Sequence, residues 1–88
     1  MKKVILNFSE AETQQDIHGV LKEALAFPDY YGENLDALYD CLTDICEDTA
    51  IGFCQREDDS EAAAYLRRAQ SVFLDAEEEN PHLAVFFL

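Results

Sequence analysis

Three short apolar runs, separated by segments of helical period, constrain this chain most strongly. KVILNF (residues 3–8), TAIGFC (49–54) and LAVFFL (83–88) each have the length of a strand. Apolarity this continuous suits interior strands, and the first run reads as buried on both faces. The intervening segments repeat apolar residues every three or four positions, the signature of helices with one face on a core. Strands joined through helices run parallel, because a parallel pair needs a crossover too long for a hairpin. The expected architecture is therefore α/β: a small three-stranded parallel sheet packed with helices, in the order β-α-α-β-α-β. Eighty-eight residues suffice for one modest core, so residues 1–88 are expected to form a single domain.

Helix boundaries are also legible. Thr13 can cap a first helix, with Asp16 three positions on as a variant of the capping box. Ile17, Val20, Leu21, Ala24 and Leu25 mark its buried face, and it stops before Pro28. His18 falls at the border of that face and reads as an ordinary boundary residue. Asn34 can cap a second helix running to about Cys46, with Asp36 in the first turn, where the helix dipole favours a carboxylate. After the charged break QREDDSE (55–61), with Ser60 a candidate cap, Tyr65, Leu66, Ala69, Val72, Phe73 and Ala76 keep a third helical period. Asn80-Pro81 ends that helix. Two helices follow the first strand, so whether the second covers a face of the sheet or caps an end or edge stays open.

Charge narrows the function classes. Six Lys and Arg against nineteen Asp and Glu leave a formal charge of −13. Such a field repels nucleic acid and anionic lipid, so neither direct nucleic-acid binding nor membrane binding is expected. A basic protein is the natural complement. The N-terminal apolar run is too short for a signal peptide, and no run approaches the length of a membrane span. Cys41, Cys46 and Cys54 are odd in number and sit in apolar segments, which predicts buried reduced thiols and a cytoplasmic protein. No Cys–His grouping has zinc spacing, and QREDDSE lacks the ligand pattern of a calcium loop. Neither a metal nor a cofactor is expected.

The segment DYYGENLDALYDCLTD (29–44) carries two stripes on one helix. On a helical wheel Leu35, Leu38, Cys41, Leu42, Ile45 and Cys46 share one side; Glu33, Asp36, Tyr39, Asp40 and Thr43 share the other. The simplest reading of the acidic stripe is a solvated helix face. Against it, Asp36 and Asp40 repel at i,i+4, Asp is a poor helix former, and Asp44 joins other acids at the helix end the dipole disfavours. Each penalty is small, yet together they indicate that binding placed the acids. Short carboxylates accept bonds from Arg and Lys, and a flat phenol among them supplies contact area at little entropic cost. The same acids suit the phosphate site of a nuclease. Paired carboxylates can also be catalytic, but that needs a concave apolar pocket and separated pKa values, and enzyme is the weakest class.

Pro28, Tyr30-Tyr31-Gly32, Asn34-Leu35-Asp36-Ala37-Leu38 and Asp40-Cys41-Leu42-Thr43 closely resemble the motif of barstar-family ribonuclease inhibitors, P-x-Y-Y-G-x-N-L-D-A-L-x-D-C-L-T. The resemblance covers most of the chain and is weak only from about residue 55 to 64. It implies a cytoplasmic, non-enzymatic protein, monomeric when free, that plugs the basic active site of a secreted ribonuclease. By motif position Tyr30 would cover a catalytic histidine, Asp36 would sit at the cleft edge, and Asp40 would replace the phosphate against arginines. Tyr39 stands where the best-known members carry tryptophan, and Asp75 matches a contacting glutamate. Two residues depart from the motif's continuation: Asp44 replaces a glycine and Ile45 a tryptophan. The partner-binding set is thus Tyr30, Asp36, Tyr39, Asp40, Thr43, Asp44 and Asp75. An immunity protein or regulator directed at a different basic toxin nuclease, through the same face, is the alternative.

Overall fold

The computed structural model describes residues 1–54, 56 and 58–88. Its elements follow the expected order: β1 (Lys2–Leu6), α1 (Gln14–Leu25), α2 (Leu35–Thr43), β2 (Thr49–Phe53), α3 (Glu61–Glu79) and β3 (Leu83–Phe87). The strands form one parallel sheet in the order β1-β2-β3, with Val4 opposite Ile51 and Ile51 opposite Val85.

Strand order dictates where the helices lie. Crossovers between parallel strands are right-handed, and both crossovers here step in the same direction across the sheet. Both therefore place their helices on the same face. Val4, Leu6, Ile51, Phe53 and Leu83 point into that layer and are buried. The opposite face carries Lys3, Ile5, Ala50, Gly52, Ala84 and Phe86, and no helix among the described residues covers it. The first strand is thus an edge strand buried on one side only, contrary to the sequence expectation; Ile5 remains 45% exposed. The last run likewise forms the other edge, leaving Phe87 and Leu88 largely open.

Gly52 makes that uncovered face locally dense. A Cβ there would come within 2.6 Å of the Phe86 ring and 2.9 Å of Ile5 Cδ1. Only glycine lets these two side chains fold across the central strand, and Lys3 Nζ stands 5.7 Å from the centre of the Phe86 ring.

Caps form where the composition places them. The Thr13 hydroxyl accepts from Asp16 N at 3.1 Å, while the Asp16 carboxylate accepts from Thr13 N at 3.2 Å. Ala26 ends α1 in the left-handed region at φ 54°, turning the chain toward Pro28. Ser60 caps α3 through Ala63 N. Arg56, in the charged break, donates through Nη1 to Phe8 O at 2.5 Å and Ala11 O at 2.6 Å, tying the turn after β1 to the approach to α3.

Candidate functional site

The second helix packs on α3 rather than over the strands. Leu38 and Leu42 are fully buried. Each such side chain removed from water contributes about 1.5–3 kcal/mol, enough to seat a nine-residue helix that would not persist alone. Its entry is fixed by Asn34, whose Oδ1 accepts from Ala37 N at 2.8 Å and whose Nδ2 donates to Gly32 O at 3.2 Å. Glu33, just before the cap, adopts φ 52°, a conformation that costs a side chain energy and is retained here at the turn into α2.

The helix ends at Thr43, three residues short of the expected Cys46. Asn80 accounts for this. Its buried Nδ2 donates to Leu42 O at 2.9 Å and to Ile45 O at 3.0 Å, capturing carbonyls that a continuing helix would use. Its Oδ1 accepts from His82 N at 2.9 Å. Thr43 Oγ1 donates to both Tyr39 O and Asp40 O at 3.1 Å. The early stop turns Cys46 out of the core face: it is exposed, and Cys41 and Cys54 are half-buried, so the expectation of three buried thiols is corrected.

His18 is also corrected. It is 1% exposed, not a boundary residue. Nδ1 lies 2.6 Å from the Tyr31 hydroxyl and Nε2 2.7 Å from the Tyr65 hydroxyl. Burial lowers its pKa from the ordinary value, opposed by the charge of Glu33. The neutral ring has one donor and one acceptor nitrogen, so the two tyrosines take opposite roles. This chain of three side chains anchors the 28–32 loop to α1 and α3. The sequence signal existed: His18 follows Ile17 and lies three residues before Leu21, next to the apolar stripe.

The candidate residues fall into separate places. Tyr30 is 88% exposed at the loop tip, while its neighbour Tyr31 is buried. Tyr30, Asp40 and Asp44 line one cleft of about 410 Å³ between the 25–32 segment and α2, with Cys41 and Ile45 in its wall. Burial, then the charges of Asp44 and Asp40, push the Cys41 thiol up. Asp36 borders a different depression, together with Arg68 and Tyr65 of α3. Tyr39 does not stand free on the outer face; it is half-buried against the core, because it adjoins Leu35 and Leu42 around the helix. Thr43 is half-buried and its hydroxyl is spent on the helix. Asp75 is exposed on α3 and lines neither depression.

Electrostatically the site is unneutralised. Among the described residues the ion pairs are Lys2–Glu47, Lys22–Asp29 and Arg56–Asp58, and His82 Nδ1 stands 3.0 Å from Asp48 Oδ1. Asp36, Asp40, Asp44 and Asp75 belong to none of them. No group of three or more metal-binding side chains occurs among the described residues, and no helix is long and apolar enough to cross a membrane.

An exposed loop and an unpaired acidic helix, carried on a parallel sheet with helices on one face, define an acidic α/β module. The chain belongs to the Barstar (barnase inhibitor) family, whose model matches residues 1–87. It is similar to a Bacillus subtilis (strain 168) protein described as "Putative ribonuclease inhibitor YrdF", with 54% identity over 43 residues. That match covers 49% of this chain and 47% of the relative, so it spans about half the length of each.

Proposed function

We propose that this protein inhibits a basic ribonuclease by laying the 28–32 loop and the outer flank of α2 into the enzyme's cationic cleft. The observation that carries this reading is the convergence of exposed Tyr30 with Asp40 and Asp44, which have no ion-pair partner among the described residues, on one cleft. Carboxylates left without a partner in the free protein are ready to accept arginine, lysine or protonated histidine without first breaking an internal bond. Asp40 stands in for a substrate phosphate, Asp36 and Thr43 flank it along the helix, and half-buried Tyr39 adjoins them. Asp75 adds charge from α3. The inhibitor works in the cytoplasm, as a monomer, on an enzyme made for secretion by the same cell.

Inhibition of guanyl-specific secreted ribonucleases by the wild-type chain tests the proposal. Asp40→Ala should weaken binding by about 3–5 kcal/mol, the cost of stranding a buried charge on the enzyme. Inhibition that survives both Asp40→Ala and Tyr39→Ala would exclude this face. A second reading, an immunity protein or regulator for another basic nuclease, is favoured by Asp44 and Ile45. Failure against the guanyl-specific class, with capture of a different nuclease that depends on Asp40, would select it.

A further inference from the structure

We propose that the Glu77 carboxylate locks the outer edge of the sheet: it occupies the Val85 N–H and keeps β3 from pairing with β3 of a second copy of this chain. The inference is independent of what the acidic helix binds. β3 is an edge strand, and its ladder fixes which backbone groups face outward. His82 O accepts from Thr49 N, and Leu88 N donates to Phe53 O, so the even-numbered residues of this segment turn toward β2. Backbone direction alternates along a strand, so Leu83, Val85 and Phe87 point their N–H and C=O groups away from the sheet. Leu83 N donates to Asn80 O at 3.1 Å. Val85 N, at the middle of the strand, donates to Glu77 Oε2 at 2.6 Å.

The two edges of the sheet are protected differently. An edge strand offers its outward N–H and C=O groups to any other chain, and charged side chains on the strand are a common deterrent. β1 carries Lys2 and Lys3. β3 is LAVFF, with no charged residue and no proline, and Phe87 and Leu88 at its end are 49% and 55% exposed. The charge on this edge comes instead from α3. Glu77 is half-buried against the strand, whereas Glu78 and Glu79, next in the same helix, are exposed. A carboxylate accepts without donating, so it satisfies the Val85 N–H and offers no donor to an arriving strand. Without it, two β3 strands meeting antiparallel about Val85 would exchange N–H and C=O bonds there. Such a contact is the same on both copies and closes as a dimer.

The test uses the full chain in about 0.15 M salt, which screens repulsion between copies beyond about 8 Å. In dilute Glu77→Ala, exchange of the Val85 amide should quicken about tenfold or more, the scale of one hydrogen bond to a charged group. The Phe86 amide, which faces β2, should keep its protection. Sedimentation should show Glu77→Ala dimerising as concentration rises, with Val85 protected again in the dimer. Wild type and Glu78→Ala, an equal charge change one residue along, should stay monomeric. Adding Val85→Pro to Glu77→Ala removes the donor and should prevent the dimer, since an edge strand tolerates proline where its N–H faces outward.

Val85 exchange unchanged by Glu77→Ala, or protection lost equally at Val85 and Phe86, would overturn the lock. So would faster Val85 exchange with no dimer at any concentration, or a dimer formed as readily by Glu78→Ala. A Glu77→Ala dimer that survives Val85→Pro would put the contact elsewhere and overturn its assignment to this edge.

Discussion

Asn80, the residue that ends α3, donates its side-chain amide to the carbonyl of Leu42 at the end of α2, 2.9 Å away. One buried amide thereby stops the candidate binding helix, orients Asp44 and Ile45, and starts the turn into β3 through His82 N. A helix whose last turn holds no basic residue needs such a donor, because its terminal carbonyls have no partner of their own.

Asn80→Ala removes that donor and leaves two carbonyls without their strong partner. It should lower stability by about 1–3 kcal/mol in chemical denaturation. Amide exchange should quicken at Ile45 and Cys46 while Leu38 stays protected. Uniform loss of protection across α2 would instead assign Asn80 a purely global role.

Stability should fall as pH drops below about 6.5, and His18 should be the cause. Its folded pKa is depressed by burial, so the unfolded chain takes up protons first as pH falls through the ordinary histidine value. The contribution is therefore complete above that value and is lost toward the folded pKa. Asp16 and Asp58 also have lowered pKa values, but theirs act in the acid range below ordinary carboxylates. Thermal melts of the wild type between pH 7.5 and pH 5, both about one unit or more from the reference value, should show the decline. The slope should flatten in His18→Gln, and an unchanged slope would clear His18 of this role.

Gly52→Ala should destabilise the sheet modestly, by about 1 kcal/mol, at the low end for overpacking. The new methyl would meet only the outer ends of Phe86 and Ile5, which lie on the uncovered face and can swing away. Denaturation of Gly52→Ala in a Phe86→Ala background should show most of that cost removed. Equal costs in the two backgrounds would point to the backbone rather than to the ring.

Association with a basic ribonuclease should slow steeply with added salt. A chain of charge −13, with Asp36, Asp40 and Asp44 spread along α2 outside any ion pair among the described residues, steers a cationic partner over distances that salt screens. Raising ionic strength from about 0.01 M to 0.15 M shortens the screening length from about 30 Å to 8 Å. Stopped-flow association rates should fall with it while dissociation changes little. A flat association rate would argue against electrostatic steering.

Much of the fold could be read before the structure. Thr13 with Asp16, Asn34 and Ser60 all cap the helices they precede, since capping depends on residues within one turn. Strand positions were legible for a similar reason: an apolar run between two helices has few other places to go. The misreadings concern what lies across space. KVILNF looks buried on both faces because edge and interior strands of a small sheet can share one composition. Tyr39 looked outward because a wheel gives an angle but not the width of the surface packed against it. Within the candidate site, the acids were legible as a group, whereas their division between the Asp40–Asp44 cleft and the Asp36 depression was not.

By itself, the sequence determined the order of elements, the caps, the apolar faces of the helices and the surplus of negative charge. These follow from periodicity and from contacts a few residues long. Only the tertiary structure decided that both crossovers share one face of the sheet, that Asn80 ends α2 from 38 residues away, and that His18 is sealed between Tyr31 and Tyr65. It also brought the 25–32 segment against α2 to make the cleft at Asp44. Each of these depends on which distant groups meet when the core closes, because a buried amide or imidazole is tolerated only where donors and acceptors from other elements arrive to satisfy it.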